Sequence, residues 1–538
     1  MHDHKKTECR HCASKTSRRG FFRTAGAVAG AVAGSQLLDD VLSFAAESTG
    51  PVDTKGTPVV VDVVSLWRER PPTGQMDWGY GTDTYNYQRN LYEKLLKEEA
   101  KEIGVQIRMR NPVTSDDEVN GLLADLKKSP PSGLILTGHM LHTWGVGFSG
   151  KGWDPVQKIL DGRGDIPTLV FFNLPNFRFG PVVRYGKSHC YTCTAPDVSW
   201  LKKSLRLVSA PARLKHSKLV YAFPKGKEQY EENEIRDVSR NHPLGPGFVE
   251  FPDYLKIYAK YENSDEMRRL ADFYEKTAKK VVEPEKKAIF NAVKHYLVLR
   301  DLIQKNNCQG AIVGGSACIG AQREPGPGCV AISRLNDEGL VGTCEGDPDF
   351  GVADLVTHMI CGRPLVMGNI GHLTATNTMV ISHCYSPTKI RGPKDEYRAP
   401  FQLRDFHGRA ACVPQVFWPE GEKVTFVTPM KDVREYAVGT GRVVSNIAQP
   451  PAFLCRTAVE FKVDGLDNWD TESYRPDVKT KFTSSYVLGD MREPYEAFGQ
   501  LADVSITPVV SDKSPAKPGA KVFAMRRSQR PDDGCGCC

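Results

Sequence analysis

Apolar β-branched runs and amphipathic helical stretches take turns along the first half of the chain, and that alternation restricts the possible folds more than any other feature. Thr57–Leu66 (TPVVVDVVSL) has the texture of a strand buried on both faces. A helical stretch from Tyr85 to Ile103 stops at Gly104, and Val105–Met109 follows as a strand. Ser115 and Glu118 are the two halves of a capping box, which opens a helix with Val119, Leu122, Leu123 and Leu126 on one face. Gly133–Thr137 and Pro167–Phe172 are further strands. Strands separated by helices pair in parallel and need helices on both faces of their sheet. Residues 57–215 are therefore expected to form an N-terminal α/β domain.

A second set starts near Lys218. Leu219–Phe223 reads as a strand, Asp265–Val282 and Pro284–Gln304 as helices, and Gly310–Gly314 as a strand. That strand runs into the glycine- and serine-containing stretch Gly314–Gly320, which lacks the lysine of a P-loop and reads as a tight turn beside a cleft. This gives a middle α/β domain over 216–385. From Thr388 the texture changes to short strands between Gly/Pro turns: Val413–Trp418, Lys423–Pro429, Arg442–Ile447 and Arg456–Val463, with a helical pattern returning at Glu493–Leu501. The fold class expected is α/β, two consecutive Rossmann-like parallel-sheet domains followed by a mainly β C-terminal domain over 386–510, in the form of a small barrel.

Leu335–Cys384 carries the best chemical lead. Three short apolar runs end at Glu345, Asn369 and His383, side chains able to bind a metal or move a proton. Between the first two runs, Val352, Leu355, Val356, Met359 and Ile360 recur at helical spacing, with Asp347 as N-cap, Pro348 in the first turn and Gly362 as the stop. Read as one strand–helix–strand unit, this places the three polar residues where α/β folds gather ligands, outside the carboxyl ends of strands.

Charge argues against a polyanionic partner. The formal net charge is +7, but the first 45 residues hold seven Lys/Arg against four Asp/Glu, and the remainder is close to balanced. Without a basic stripe interleaved with aromatics, nucleic acid is not an expected partner. Ser17–Arg23 (SRRGFFR) resembles a twin-arginine export signal, with a mildly apolar run from Ala25 to Leu38 and a small-x-small cleavage site at Ser43–Ala45. Residues 1–46 are thus expected to be a signal peptide read by the Tat export machinery, leaving the protein periplasmic or otherwise extracytoplasmic with no stable membrane insertion. Cys190 and Cys193 suit either a redox or metal pair or an incidental disulfide in a surface loop. Residues 511–538, rich in Pro, Lys, Ser and Asp and ending in Cys535, Cys537 and Cys538, read as a disordered thiol-bearing tail.

Two α/β domains, a C-terminal β domain and Cys-Glu-Gly-Asp (344–347) after a strand together resemble the L-fucose isomerase and L-arabinose isomerase superfamily. The resemblance spans most of 57–510 and is concentrated in 329–385. It implies that Glu345 is a metal-binding and proton-shuttling glutamate, with Asp347 beside it as a second catalytic candidate. It also implies that His383 is a metal ligand, that the ion is divalent, Mn²⁺ first among candidates, and that the protein is a homo-oligomer acting on a monosaccharide. Two positions depart from the pattern. Asn369 stands where the fucose enzyme has its second acid, and Thr483–Val487, the counterpart of the strand bearing the last histidine ligand, has no His.

The chemistry explains why these departures matter. Aldose–ketose isomerisation uses a divalent ion as Lewis acid and template, and a base that moves a proton between neighbouring carbons. Asn369 offers a carbonyl oxygen to a metal but cannot act as a base, so His372 or His407 would have to supply the second proton carrier. Trp67 and Arg68, after the first strand, together with His372 and His407, are the substrate-binding candidates, since aromatic faces suit sugar rings and guanidinium suits hydroxyls. Two functional expectations follow: a metal-dependent sugar isomerase, or a catalytically impaired carbohydrate-binding protein on the same scaffold.

Overall fold

The computed structural model describes residues 58–67, 82–139, 155–173, 186–222, 245–314, 325–430, 433–466 and 483–510. Signal segment 1–46, Arg68, most of the Gly314–Gly320 turn and tail 511–538 lie outside these residues.

The first sheet has five strands, β1 (Val60–Trp67), β2 (Gln106–Met109), β3 (Gly133–His139), β4 (Thr168–Asn173) and β5 (Cys190–Ala195), in the order β2-β1-β3-β4-β5. Every neighbouring pair is parallel. The helices are α1 (Thr82–Ile103), α2 (Asp116–Lys128), α3 (Pro155–Gly162) and α4 (Trp200–Lys215). The expected capping box is present at α2, where Ser115 accepts from the Glu118 amide and the Glu118 carboxylate accepts from the Ser115 amide. Strand alternation divides the sheet's core in two. Val61, Val63, Ile135 and Phe171 pack with Tyr92 and Leu96 of α1, whereas Val64, Leu136 and Val170 pack with Leu122 and Ile159.

The second sheet is also parallel, in the order β7-β6-β8-β9: β6 (Lys218–Ala222), β7 (Gly247–Glu250), β8 (Gly310–Val313) and β9 (Val341–Thr343). Helices α5 (Tyr254–Lys260), α6 (Asp265–Thr277), α7 (Lys286–Lys305) and α8 (Cys329–Asp337) precede β9, and α9 (Pro348–Cys361) follows it. Asp347 caps α9 as expected, with Pro348 at its start and Gly362 ending it in the left-handed region at φ 65°.

Seven further strands build the C-terminal barrel: β10 (Val366–Leu373), β11 (Thr378–His383), β14 (Lys423–Pro429), β15 (Glu435–Asn446), β16 (Thr457–Val463), β17 (Thr483–Leu488) and β18 (Ser505–Pro508). Six of them run in the antiparallel order β14-β17-β10-β11-β16-β15, and a β14–β15 pairing closes the ring, removing the exposed edges an open sheet would present. β18 lies parallel to β15, and β12 (Phe401–Phe406) with β13 (Arg409–Val416) forms a separate hairpin. Helix α10 (Arg492–Ala502) adds Tyr495 and Phe498 to a core that runs continuously through α4 and α9 into the first two sheets. No described helix is long and apolar enough to cross a membrane.

One expectation changes here. β10 and β11 do not continue the middle parallel sheet as a strand–helix–strand unit; they enter the barrel as an antiparallel pair, with Asn369 opposite Ser382. The linker between them, residues 374–377, is too short for the crossover of a dozen or more residues that parallel strands require.

Candidate functional site

Glu345 is held on a strained turn. It and Gly346 both lie in the left-handed region, at φ 62° and 69°, a conformation costing a non-glycine residue roughly 1–2 kcal/mol. Three neighbours fix the turn at the end of β9: the Gly346 amide donates to the Val313 carbonyl at 3.2 Å, Tyr221 Oη donates to the Gly346 carbonyl at 2.9 Å, and Gly314 packs so closely that a Cβ there would meet Gly346 Cα at 2.2 Å. Strain imposed by so determined a surrounding marks a position where side-chain direction matters.

That direction is toward the barrel. Glu345 Oε1 lies 3.2 Å from His383 Nε2 and accepts from Asn369 Nδ2 at 3.4 Å. The three residues that end the apolar runs of 335–384 thus meet, although they come from a parallel sheet and from two strands of the barrel. His383 is buried, with 4% of its side chain exposed, while Glu345 keeps 38% of its own open to solvent. Burial by itself would raise the Glu345 carboxyl; the hydrogen bond and charge of His383, with the Asn369 amide, outweigh it and hold the group below its ordinary value. At neutral pH the cluster therefore presents a carboxylate, partly open to solvent, beside a buried imidazole.

Buried supports set this geometry. Asp354 of α9 accepts from the Leu365 amide at 2.9 Å and from Thr343 Oγ1 at 3.4 Å and pairs with His358 at 3.0 Å, so one carboxylate ties the end of β9, α9 and the entry to β10. Tyr385, fully buried, accepts from the Met367 amide at 3.1 Å and meets the His383 ring edge-to-face at 4.9 Å.

The other expected residues have different tasks. Asp347 Oδ1 accepts from the Asp349 and Phe350 amides at 2.9 and 3.3 Å, which makes its carboxylate the cap of α9 rather than a catalytic group. His372 sits three residues along β10 from Asn369 and so points from the opposite face of the strand. Trp67 stacks on Tyr85 at 4.5 Å, at the end of β1 in the first sheet, away from any contact with Glu345 among the described residues. Ser484 and Ser485, in the counterpart of the strand that bears the family's late ligand, lie beside β10. Their hydroxyls are committed to the barrel wall: Ser484 bonds Thr428 at 2.9 Å, and Ser485 donates to the Val427 carbonyl.

Cys190 and Cys193 are free thiols inside the first domain. Three residues apart on β5, they face opposite sides of the sheet and belong to its two separate cores. Burial pushes them up to about 11 and about 12, so the redox-pair and disulfide expectations both give way to ordinary core packing.

His407 belongs to a group that sequence reasoning did not assemble. It occupies, with Gly408, the two-residue turn between β12 and β13, both at positive φ as a type I′ hairpin requires. Its Nε2 lies 3.2 Å from Cys384 Sγ and 3.7 Å from Cys455 Sγ, and the donor atoms of the three residues all fall within 4.8 Å of one another, so they can hold a metal ion. The Cys384 hydrogen bond, outweighing burial and joined by His407, draws the Cys455 thiol down to about 5. With spacings of 23 and 48 residues the set has none of the short intervals that announce metal motifs; the one signal was Cys384 directly following His383.

These features define a class: an α/β protein of two parallel-sheet units whose second sheet meets an antiparallel barrel at a carboxylate–amide–imidazole cluster. No family model and no curated protein matches the chain. Among solved structures, a probable maltose operon transcriptional repressor from Staphylococcus aureus aligns with 56% of this chain and 91% of its own, at 10% identity and a TM-score of 0.18, a likeness too slight to carry any argument.

Proposed function

We propose that this chain is a metal-dependent enzyme of monosaccharide chemistry, of the aldose–ketose isomerase type, working at Glu345, Asn369 and His383. The observation that carries the reading is the meeting of these three side chains at 3.2 and 3.4 Å from separate elements. One carboxylate, one amide oxygen (presented when the Asn369 amide turns over) and one imidazole suit a hard divalent ion such as Mn²⁺ or Mg²⁺. When bound, such an ion polarises a sugar carbonyl and its neighbouring hydroxyl. Glu345, kept ionised, is the base that takes the proton from carbon. With Asn369 unable to carry one, His372 facing away and His383 Nε2 taken up as a ligand, Glu345 is also the group among the described residues that returns the proton. The isomerase resemblance supports the sugar substrate and a homo-oligomer, and the twin-arginine segment supports Tat-dependent export.

The second reading, a carbohydrate-binding protein without turnover, is favoured by Asn369 in place of an acid and by Ser484 and Ser485 being spent in the barrel wall. Assay of the purified protein with Mn²⁺ on aldopentoses, aldohexoses and deoxyhexoses, scoring ketose formation, separates them. We expect turnover that falls by roughly a hundredfold or more in Glu345→Gln. Sugar binding without turnover, unchanged by Glu345→Gln, would establish the binding protein instead.

A further inference from the structure

We infer that Cys384, His407 and Cys455 form a zinc site, with two sulfurs and one imidazole nitrogen as protein ligands and a fourth position left for a non-protein ligand. It uses different atoms from the Glu345 cluster and stands independently of the reaction proposed there.

Three pieces of backbone are brought together to make it. β11 and β16 are antiparallel neighbours with His383 opposite Thr457, so Cys384, just past one strand, and Cys455, just before the other, emerge side by side. The tight turn at His407 and Gly408 brings the imidazole to them. Arg456, buried next to Cys455, donates through Nε to Asp405 Oδ1 at 2.7 Å and through Nη1 to the Pro450 carbonyl at 3.1 Å. That pairing fixes the base of the hairpin turn against the start of β16.

The donor atoms lie close to metal-site separations. Tetrahedral zinc, with Zn–S near 2.3 Å and Zn–N near 2.0 Å, separates its ligand atoms by about 3.5–3.8 Å. The two sulfur–nitrogen separations here are 3.2 and 3.7 Å and all three donor atoms lie within 4.8 Å of one another, so a shift of about an ångström or less seats an ion. His407 is oriented as metal-bound histidines are: Nδ1–H donates to the Ala452 carbonyl at 3.0 Å, which leaves the Nε2 lone pair facing both sulfurs. Two sulfurs and an imidazole select zinc over manganese, magnesium or calcium, which prefer oxygen.

Elemental analysis of protein purified without chelator should find one equivalent of zinc. Replacement by Co²⁺ should give thiolate-to-cobalt charge-transfer bands in the near ultraviolet. Zinc-edge X-ray absorption should show two sulfur neighbours near 2.3 Å and nitrogen or oxygen near 2.0 Å. Cys384→Ser and Cys455→Ser should each lose the full charge-transfer intensity, while Glu345→Gln should keep the bands and the zinc. The wild-type cobalt spectrum decides the matter even where a cysteine variant fails to fold. Cobalt binding without thiolate bands overturns the assignment, as does a Cys384–Cys455 disulfide in the freshly isolated protein. Loss of zinc in Glu345→Gln overturns the three-ligand set.

Discussion

Replacing Asn369 by Asp tests the Glu345 cluster most directly, because the structure fixes the size of the effect. The new carboxylate oxygen would stand where Asn369 Nδ2 now lies, 3.4 Å from Glu345 Oε1. Two unit charges at that distance repel by about 5 kcal/mol at an effective dielectric constant of 20. Glu345 is more than a third exposed, so solvent should screen this to about half, near 2.5 kcal/mol. Without metal, the pair would titrate in two steps, the upper one raised by about two pKa units. A divalent ion held between the carboxylates removes the repulsion, so Mn²⁺ should bind Asn369→Asp roughly seventyfold more tightly than the wild type, the fold-change equivalent to that energy. Isothermal titration at pH 7.5, or the electron paramagnetic resonance signal of free Mn²⁺, measures this. The double variant Glu345→Gln/Asn369→Asp restores a single carboxylate and should return the affinity close to the wild-type value. Equal Mn²⁺ affinities in wild type and Asn369→Asp would refute the convergence of these side chains on one ion.

Three further outcomes follow from buried groups. His295, enclosed by Tyr254 and Tyr258 and bonded to the Gly326 carbonyl at 3.0 Å, is depressed by burial to about 4. Unfolding lets it take up a proton below 6.5, so its contribution is complete above that pH and is lost as pH falls toward 4, up to about 3 kcal/mol. Urea denaturation of His295→Gln should show a flatter acid limb, and an unchanged slope between pH 6.5 and 4 would count against this. His358 has the opposite sign: burial lowers it, but the Asp354 charge and hydrogen bonds win and raise it, so its contribution is present below pH 6.5 and fades as pH rises through the folded value. Asp354→Asn should remove that alkaline loss and lower stability by a few kcal/mol, since it leaves the His358 charge buried without its partner; denaturation curves at pH 5.5 and 8.5 check both. Iodoacetamide at pH 8 should leave Cys190 and Cys193 unmodified in the native protein, and labelling of either at the rate of an exposed thiol, read by mass spectrometry, would contradict their assignment to the core.

The alternation of periods made the architecture legible, because buried parallel strands and amphipathic helices leave local signatures. The α2 capping box and the Asp347–Pro348 start of α9 were equally local and came out as read. What sequence reasoning missed was non-local. Periodicity describes which face of a strand is buried but not which strand lies beside it, and so β10 and β11 were grouped with the parallel unit preceding them. The error left the candidate site intact: the barrel strands return Asn369 and His383 to the end of β9, where a strained turn aims Glu345 at them. The same limit hid the second metal candidate, since Cys384, His407 and Cys455 share no short spacing and meet only because β11 and β16 pair. Asp347 shows the reverse failure. A helix cap and a catalytic carboxylate look alike in sequence, and only the two amides bonded to Oδ1 decide between them. The barrel therefore does more than cover the middle sheet. It supplies two of the three side chains that meet at Glu345 and, one residue beyond His383, the first sulfur of the second candidate cluster, so both clusters depend on the register of one strand, β11.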